Sequence, residues 1–286
     1  MRQKKVVAVH DISGIGKCSL TVALPIISVA GMECCPIPTA VLSNHTGGFK
    51  DFTFKDLTDD ILPIVNRFKE ENIVIDTIYS GYLGSTRQVD ILIKTIKQLR
   101  SKETLVVVDP VMGDNGSLYK CFSLDFPSKM AELCQFADVI TPNMTEALLM
   151  LGENYSPPPY SKDYIDSILV RLGSLCKKTV VLTGVSFENK ELGAAALDVK
   201  TGKISYCFNE KIEGMHHGTG DIFCSVLVSA LTLGRDTDFA LNAAVEFTCL
   251  AIENTLDFPK LWYGVNFEGV LNRLPYILGG TDGSAV

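Results

Sequence analysis

No apolar run in the sequence approaches the roughly 18 consecutive residues that a membrane-spanning helix requires, although 47 % of the chain is hydrophobic. The opening residues, MRQKKVVAVH, are charged and then strand-like, without the small-residue cleavage pattern of a secretory signal. Together these absences predict a cytoplasmic protein with no membrane partner. A basic stripe is also missing. The 26 Lys and Arg are scattered among 33 Asp and Glu, for a net charge of −7, so a nucleic-acid surface is not expected. A few local donors can still hold a phosphate in an acidic protein. The nine cysteines are odd in number and show no C-x-x-C spacing. Reduced core thiols therefore fit better than disulfides or zinc. Repeats and low-complexity stretches are absent too. We expect one domain over residues 1–286, with a frayed tail from about residue 278.

What is present is an alternation. Short apolar runs at 5–10, 75–81, 104–110, 137–143 and 178–184 read as buried parallel strands. Between them, LTVALPIISVAG, TRQVDILIKTIKQLRS, PSKMAELCQ, MTEALLMLG and DYIDSILVRLGSL carry helical periodicity. That order predicts an α/β fold with a single doubly wound, mostly parallel sheet flanked by helices. Residues 193–208 read as a hairpin turning at Thr201-Gly202, and SPPPY (156–160) as a rigid loop. Five strand ends carry polar or glycine residues: His10-Asp11, Ser80-Gly81, Asp109-Pro110, Pro142-Asn143 and Thr183-Gly184. Ligands bind beyond the carboxyl ends of strands in such sheets.

In HGTGD (217–221), two glycines and a carboxylate open an apolar helix. A helix start offers orphan N–H groups and partial positive charge, and glycine lets them approach an anion closely. A simple N-cap would explain Asp221 but not Gly218 and Gly220. An anion hole with a base beside it explains all three. DISGIGKCSL (11–20) fails as a phosphate-binding P-loop, because Asp11 and Cys18 stand where glycine and Ser or Thr are needed. It reads either as a plain glycine turn or as a close backbone approach to a small ligand, with Asp11 bonding it. In TPNMTE (141–146), Asn143 or Thr145 can cap a helix and Glu146 suits its dipole. In DPVMGD (109–114), Asp109 and Asp114 can cap a turn or hold water around Mg²⁺. SNHTGG (43–48) is a flap-like loop. His45 within it can be an acid–base group or a surface residue, and His216 and His217 lack a third ligand for a metal.

SNHTGG, SGYLGS (80–85), DPVMGD, TPNMTE and HGTGD occur together in the order and spacing of the pyridoxal kinases. Over about residues 5–255 the chain resembles that family, of the ribokinase-like superfamily, most closely its bacterial pyridoxal/pyridoxamine kinases. The resemblance implies ATP-dependent phosphorylation of the 5′-hydroxymethyl group of a B6 vitamer in pyridoxal-phosphate salvage. It implies Asp221 as base, with the amides of Gly218, Thr219 and Gly220 stabilising the transferring phosphoryl. Asn143 and Glu146 would organise Mg²⁺ through water, and Asp109 would lie near metal and phosphates. Thr183, Gly184 and Gly220 would face the ATP phosphates. Asp11, Thr46 and Tyr82 would line the ring pocket, with Ser43, His45 and the rest of 43–48 as its flap. A monovalent cation (K⁺) and a homodimer are implied as well. Many B6 kinases place Ser where this chain has Asp11; pyrimidine kinases have a carboxylate there but often Cys in place of Asp221. Hydroxymethylpyrimidine kinase, a non-catalytic B6-binding protein and a sugar kinase of the same superfamily are the competing readings.

Overall fold

The computed structural model describes residues 2–214 and 216–280; the rest of the expected tail, 281–286, lies outside the described residues. Strands β1 (Lys5–Ile15), β2 (Glu33–Asn44) and β3 (Phe54–Asp56) are joined by helix α1 (Leu20–Val29) and a loop. Then follow α2 (Thr58–Glu70), β4 (Thr77–Ser80), α3 (Thr86–Leu99), β5 (Leu105–Val108) and a small hairpin of β6 (Gly113–Asp114) with β7 (Ser117–Leu118). The chain continues through α4 (Phe126–Cys134), β8 (Val139–Ile140), α5 (Met144–Leu151), α6 (Lys162–Leu172), β9 (Thr179–Val185), β10 (Glu191–Asp198) and β11 (Ile204–Glu210). Helices α7 (Thr219–Thr232) and α8 (Thr237–Leu256) complete the frame.

Nine strands form one sheet in the order β11-β10-β9-β8-β5-β4-β1-β2-β3, parallel from β9 through β2 and antiparallel at both margins. The expected doubly wound sheet is therefore present. Alternate residues of each strand feed opposite cores, as the period of two demands. Val106, Val108 and Ile140 face α2 to α6, while Val107, Val139 and Val181 face α1, α7 and α8. From β1 the chain winds to β2 on one side and later to β4 on the other. That reversal opens a crevice at the carboxyl end of β1.

Two expectations about the strands need correction, and one strand is new. β1 does not stop at His10; it runs to Ile15, with a register shift against β2 between His10 and Ile12. Asp11 therefore sits at an irregularity within the strand, and the tight turn comes later, where Lys17 (φ 51°) and Ser19 (φ 54°) adopt left-handed conformations. Thr183 and Gly184 likewise lie inside β9, at a bulge opposite Gly193/Ala194. β2 is not among the expected strands, and Pro36 and Pro38 stand within it. Both prolines have the same parity, and β3 covers only Ala40–Leu42, so their missing donors leave no ladder bond unmade.

Candidate active site

Gly218 is the N-cap of helix α7, and its φ of 85° is left-handed. A Cβ there would lie 2.1 Å from Lys17 O, so the two loops meet backbone to backbone and only glycine fits. Gly220 differs. A Cβ on it would meet nothing within 4 Å, so the fold itself does not require that glycine. Asp221 occupies the third position of the helix, in its first turn. Although the residue keeps a solvent edge, its carboxyl is set deep among protein atoms. Burial pushes it up to about 7, the Asp11 charge adds to the rise, and a backbone hydrogen bond from Ser19 opposes it.

Asp11 is 4 % exposed and accepts from Ser13 Oγ at 3.0 Å. Burial raises its affinity for a proton, and Ser19 and Ser13 only partly offset that. Cys18 lies between these two carboxylates, and burial, then Asp221 and Asp11, hold it firmly as a thiol. Nothing in the spacing of DISGIGKCSL announces that position for Cys18.

The second half of the site follows β5 and β8. Asn143 and Glu146 form a full capping box for α5: Glu146 N donates to Asn143 Oδ1 and Asn143 N to Glu146 Oε2, each at 2.9 Å. Glu146 also accepts from Met112 N at 3.0 Å, and Asn143 Nδ2 donates to Gly113 O at 2.9 Å. The capping reading of TPNMTE is thus correct, yet incomplete. Glu146 is 3 % exposed, and burial pushes it up to about 8 against the pull of three backbone amides. Asp109, 7 % exposed, is raised well above its usual range by burial, then by the charges of Glu146 and Asp221, with Thr141 opposing. Asp114 is exposed and turned to Asn115, so of the two DPVMGD carboxylates only Asp109 lies deep. Thr183 N donates to Pro142 O at 3.0 Å, which brings β9 alongside Asn143, and the bulge at Gly184 (φ 72°) opens onto free space.

The ring-pocket residues are spread more widely. Tyr82 follows β4, with its hydroxyl 3.8 Å from Cys121 Sγ and its ring 5.7 Å from that of Phe122. That loop was not foreseen as a wall of the site. His45 accepts from Gly47 N at Nδ1 (3.3 Å), which sets its neutral tautomer, and its ring centroid is 5.4 Å from that of His217. Thr46 is exposed on the same loop. Ser43 instead belongs to the sheet margin, where its hydroxyl donates to Asn44 Oδ1 at 2.7 Å and accepts from Thr53 N at 2.9 Å. Asp11, Asp109, Glu146 and Asp221 thus line the carboxyl edge of the sheet, and among the described residues no Lys or Arg pairs with any of them. No three His, Cys, Asp or Glu side chains among the described residues lie close enough to hold a metal directly. An edge of this kind suits a cation that brings its own ligands.

Compared with known proteins, residues 24–266 match the family described as phosphomethylpyrimidine kinase. A Bacteroides thetaiotaomicron protein provisionally described as a phosphomethylpyrimidine kinase, crystallised with pyridoxal, superposes with a TM-score of 0.90 at 37 % identity, covering 96 % of each chain. Pyridoxal kinase from Lactobacillus plantarum superposes with a TM-score of 0.88 at 29 % identity, over 96 % of this chain and 98 % of its own. The pyridoxine/pyridoxal/pyridoxamine kinase of Bordetella avium is 27 % identical over 261 residues, 87 % of this chain and 85 % of its own.

Proposed function

The chain belongs to the phosphomethylpyrimidine kinase family, and from that premise we propose that it moves the γ-phosphoryl group of ATP onto the 5′-hydroxymethyl group of a vitamin B6 ring. The observation that carries the reading is Asp221. It is a deep carboxyl whose proton affinity is raised to about 7, in the first turn of a glycine-opened helix. A base poised near neutral pH can take the hydroxyl proton as the oxygen attacks. The amides of Gly218, Thr219 and Gly220 would stabilise the charge that gathers on the transferring group, and phosphoryl transfer relies mainly on such positioning and electrostatics.

Asp109 and Glu146 fit Mg²⁺ held through water: they are hard oxygen donors, buried, and lack a protein cation. When bound, Mg²⁺ would screen charge between the phosphates and the sheet edge. Asn143, Thr183 and the open bulge at Gly184 would flank the phosphates, with a monovalent cation beside them. Asp11, Tyr82, His45 and Thr46 would bound the ring, with Asp11 favouring a protonated ring nitrogen or the amine of pyridoxamine. The chain would work as a homodimer; exposed Val41, Phe52 and Phe54 at the β2–β3 margin offer an apolar face for that contact. One domain would carry all of this.

The family description favours a second ring, hydroxymethylpyrimidine. Pyridoxal, pyridoxine, pyridoxamine and hydroxymethylpyrimidine, mixed in equal amounts with Mg·ATP, separate the readings when the phosphorylated products are resolved by mass. We expect a phosphorylated vitamer to dominate. Phosphate on the pyrimidine alone would assign the pyrimidine reaction instead.

A further inference from the structure

A segment that no motif singled out, residues 258–268 after α8, lies beside the site and touches three of its loops: the start of α7, the turn after β1 and the flap. Val265 N donates to His217 O at 3.2 Å, one residue ahead of Gly218. Gly264 lies so close to the turn after β1 that a Cβ on it would sit 2.6 Å from Gly16 O and 2.7 Å from Lys17 Cβ. The Lys17 ammonium pairs with Glu268 of the same segment. These contacts involve backbone or charge and fix the segment to the anion hole and to the turn.

Its contact with the flap is of another kind. The indole of Trp262 lies 4.8 Å, centroid to centroid, from the ring of Phe49, tilted by 47°. A Cβ on Gly48 would reach that indole at 3.1 Å, so the glycine lets the loop lie against it. The flap itself is tethered at its base, where His45 N donates to Ile15 O at 2.7 Å. Beyond that tether, among the described residues, it meets the segment through the rings of Trp262 and Tyr263 and without a hydrogen bond. Trp262 is also 53 % exposed, so core packing does not explain so large an apolar side chain here.

We propose that Trp262 is a positioning residue that latches the flap over the ring substrate through Phe49. The inference rests on the B6-kinase reading and adds to it a residue outside the family motifs. Holding the flap down keeps His45 and Thr46 over the ring and water away from the reacting oxygen.

Trp262 is the only tryptophan, so 5-fluorotryptophan labelling gives one ¹⁹F resonance that reports the latch directly. Pyridoxine with a non-hydrolysable ATP analogue should shift that resonance in the otherwise native protein, and the shift should vanish in Phe49→Leu. In steady state, Trp262→Ala should raise KM for pyridoxine about three- to ten-fold, the range of one aromatic contact, with KM for ATP unchanged. Trp262→Phe should restore it to within about twofold. An unmoved resonance while calorimetry shows pyridoxine bound, or a native KM in Trp262→Ala, overturns the latch and leaves the kinase reading standing. Absence of turnover on every vitamer in the unsubstituted protein would sink the kinase reading and the latch together.

Discussion

Buried carboxylates lie at both ends of the same sheet, one at the amino end and four at the carboxyl end. At the amino end, Asp138 is fully buried and fully answered. Arg100 binds it with two bonds of 2.8 and 2.9 Å, Val106 N donates to it at 2.9 Å, and Lys178 stands 3.4 Å away. At the carboxyl end, Asp11, Asp109, Glu146 and Asp221 are as deep or nearly so, yet they face one another with no protein cation among the described residues, and all four are raised in proton affinity. Burial is common to both ends; only the missing counter-charge sets the second apart. The first pattern joins α3 to β8 and holds the fold together. The second leaves the folded chain with a charge problem that the proposed Mg²⁺ would relieve.

Substitutions that exchange these two situations test the contrast. Arg100→Met strands Asp138 and should lower unfolding free energy in urea by about 3 kcal/mol, the low end for a broken buried pair because Lys178 remains. Its turnover at low temperature should stay near native. A loss of activity without loss of stability would mean that the amino end also serves the reaction.

The next effect appears in pH. Glu146 rises from 4.5 to about 8 and Asp221 from 3.8 to about 7. Between the ordinary and raised values the folded chain keeps protons that the unfolded chain has released. Stability of the ligand-free protein should therefore be greatest below about pH 4 as far as these groups decide it, and should fall as pH rises towards about 8. The slope can reach about 1.4 kcal/mol per unit for each group. Urea titrations from pH 5 to 8 should show this decline, shallower in Asp221→Asn. A slope unchanged by that substitution would remove Asp221 from the set.

The smallest change concerns the glycines. Gly220→Ala meets no atom within 4 Å and should leave stability level or raised by up to about 1 kcal/mol, while kcat/KM should fall if its methyl group stands towards the transferring phosphoryl, as the proposed anion hole requires. Gly218→Ala, by contrast, should destabilise, since its Cβ would collide with Lys17 O. Equal melting losses in both variants would place the two glycines in one structural role.

Much of this was legible beforehand because the strands are short, apolar and followed by informative residues. The parallel sheet, Asp221 behind its glycines, and Asn143 with Glu146 all follow from local pattern. What stayed hidden depended on distant partners. β2 exists because β1 and β3 pair with it at positions its prolines do not disturb, and β1 passes Asp11 because a register shift absorbs the irregularity. Cys18 between two carboxylates, Tyr119 to Phe122 beside Tyr82, and Trp262 against Phe49 are products of tertiary placement. No spacing within one segment encodes them.

The most direct test sets Asp221→Asn beside the unsubstituted protein, with Mg·ATP and pyridoxal, and records turnover and thermal unfolding on the same samples. Removing one unanswered charge should leave the melting temperature level or higher, while turnover drops about 10²- to 10⁴-fold, the range of a positioned general base. A variant that melts as expected yet phosphorylates pyridoxal at the native rate would contradict the role given to Asp221, and with it the account of why this end of the sheet is left without cations.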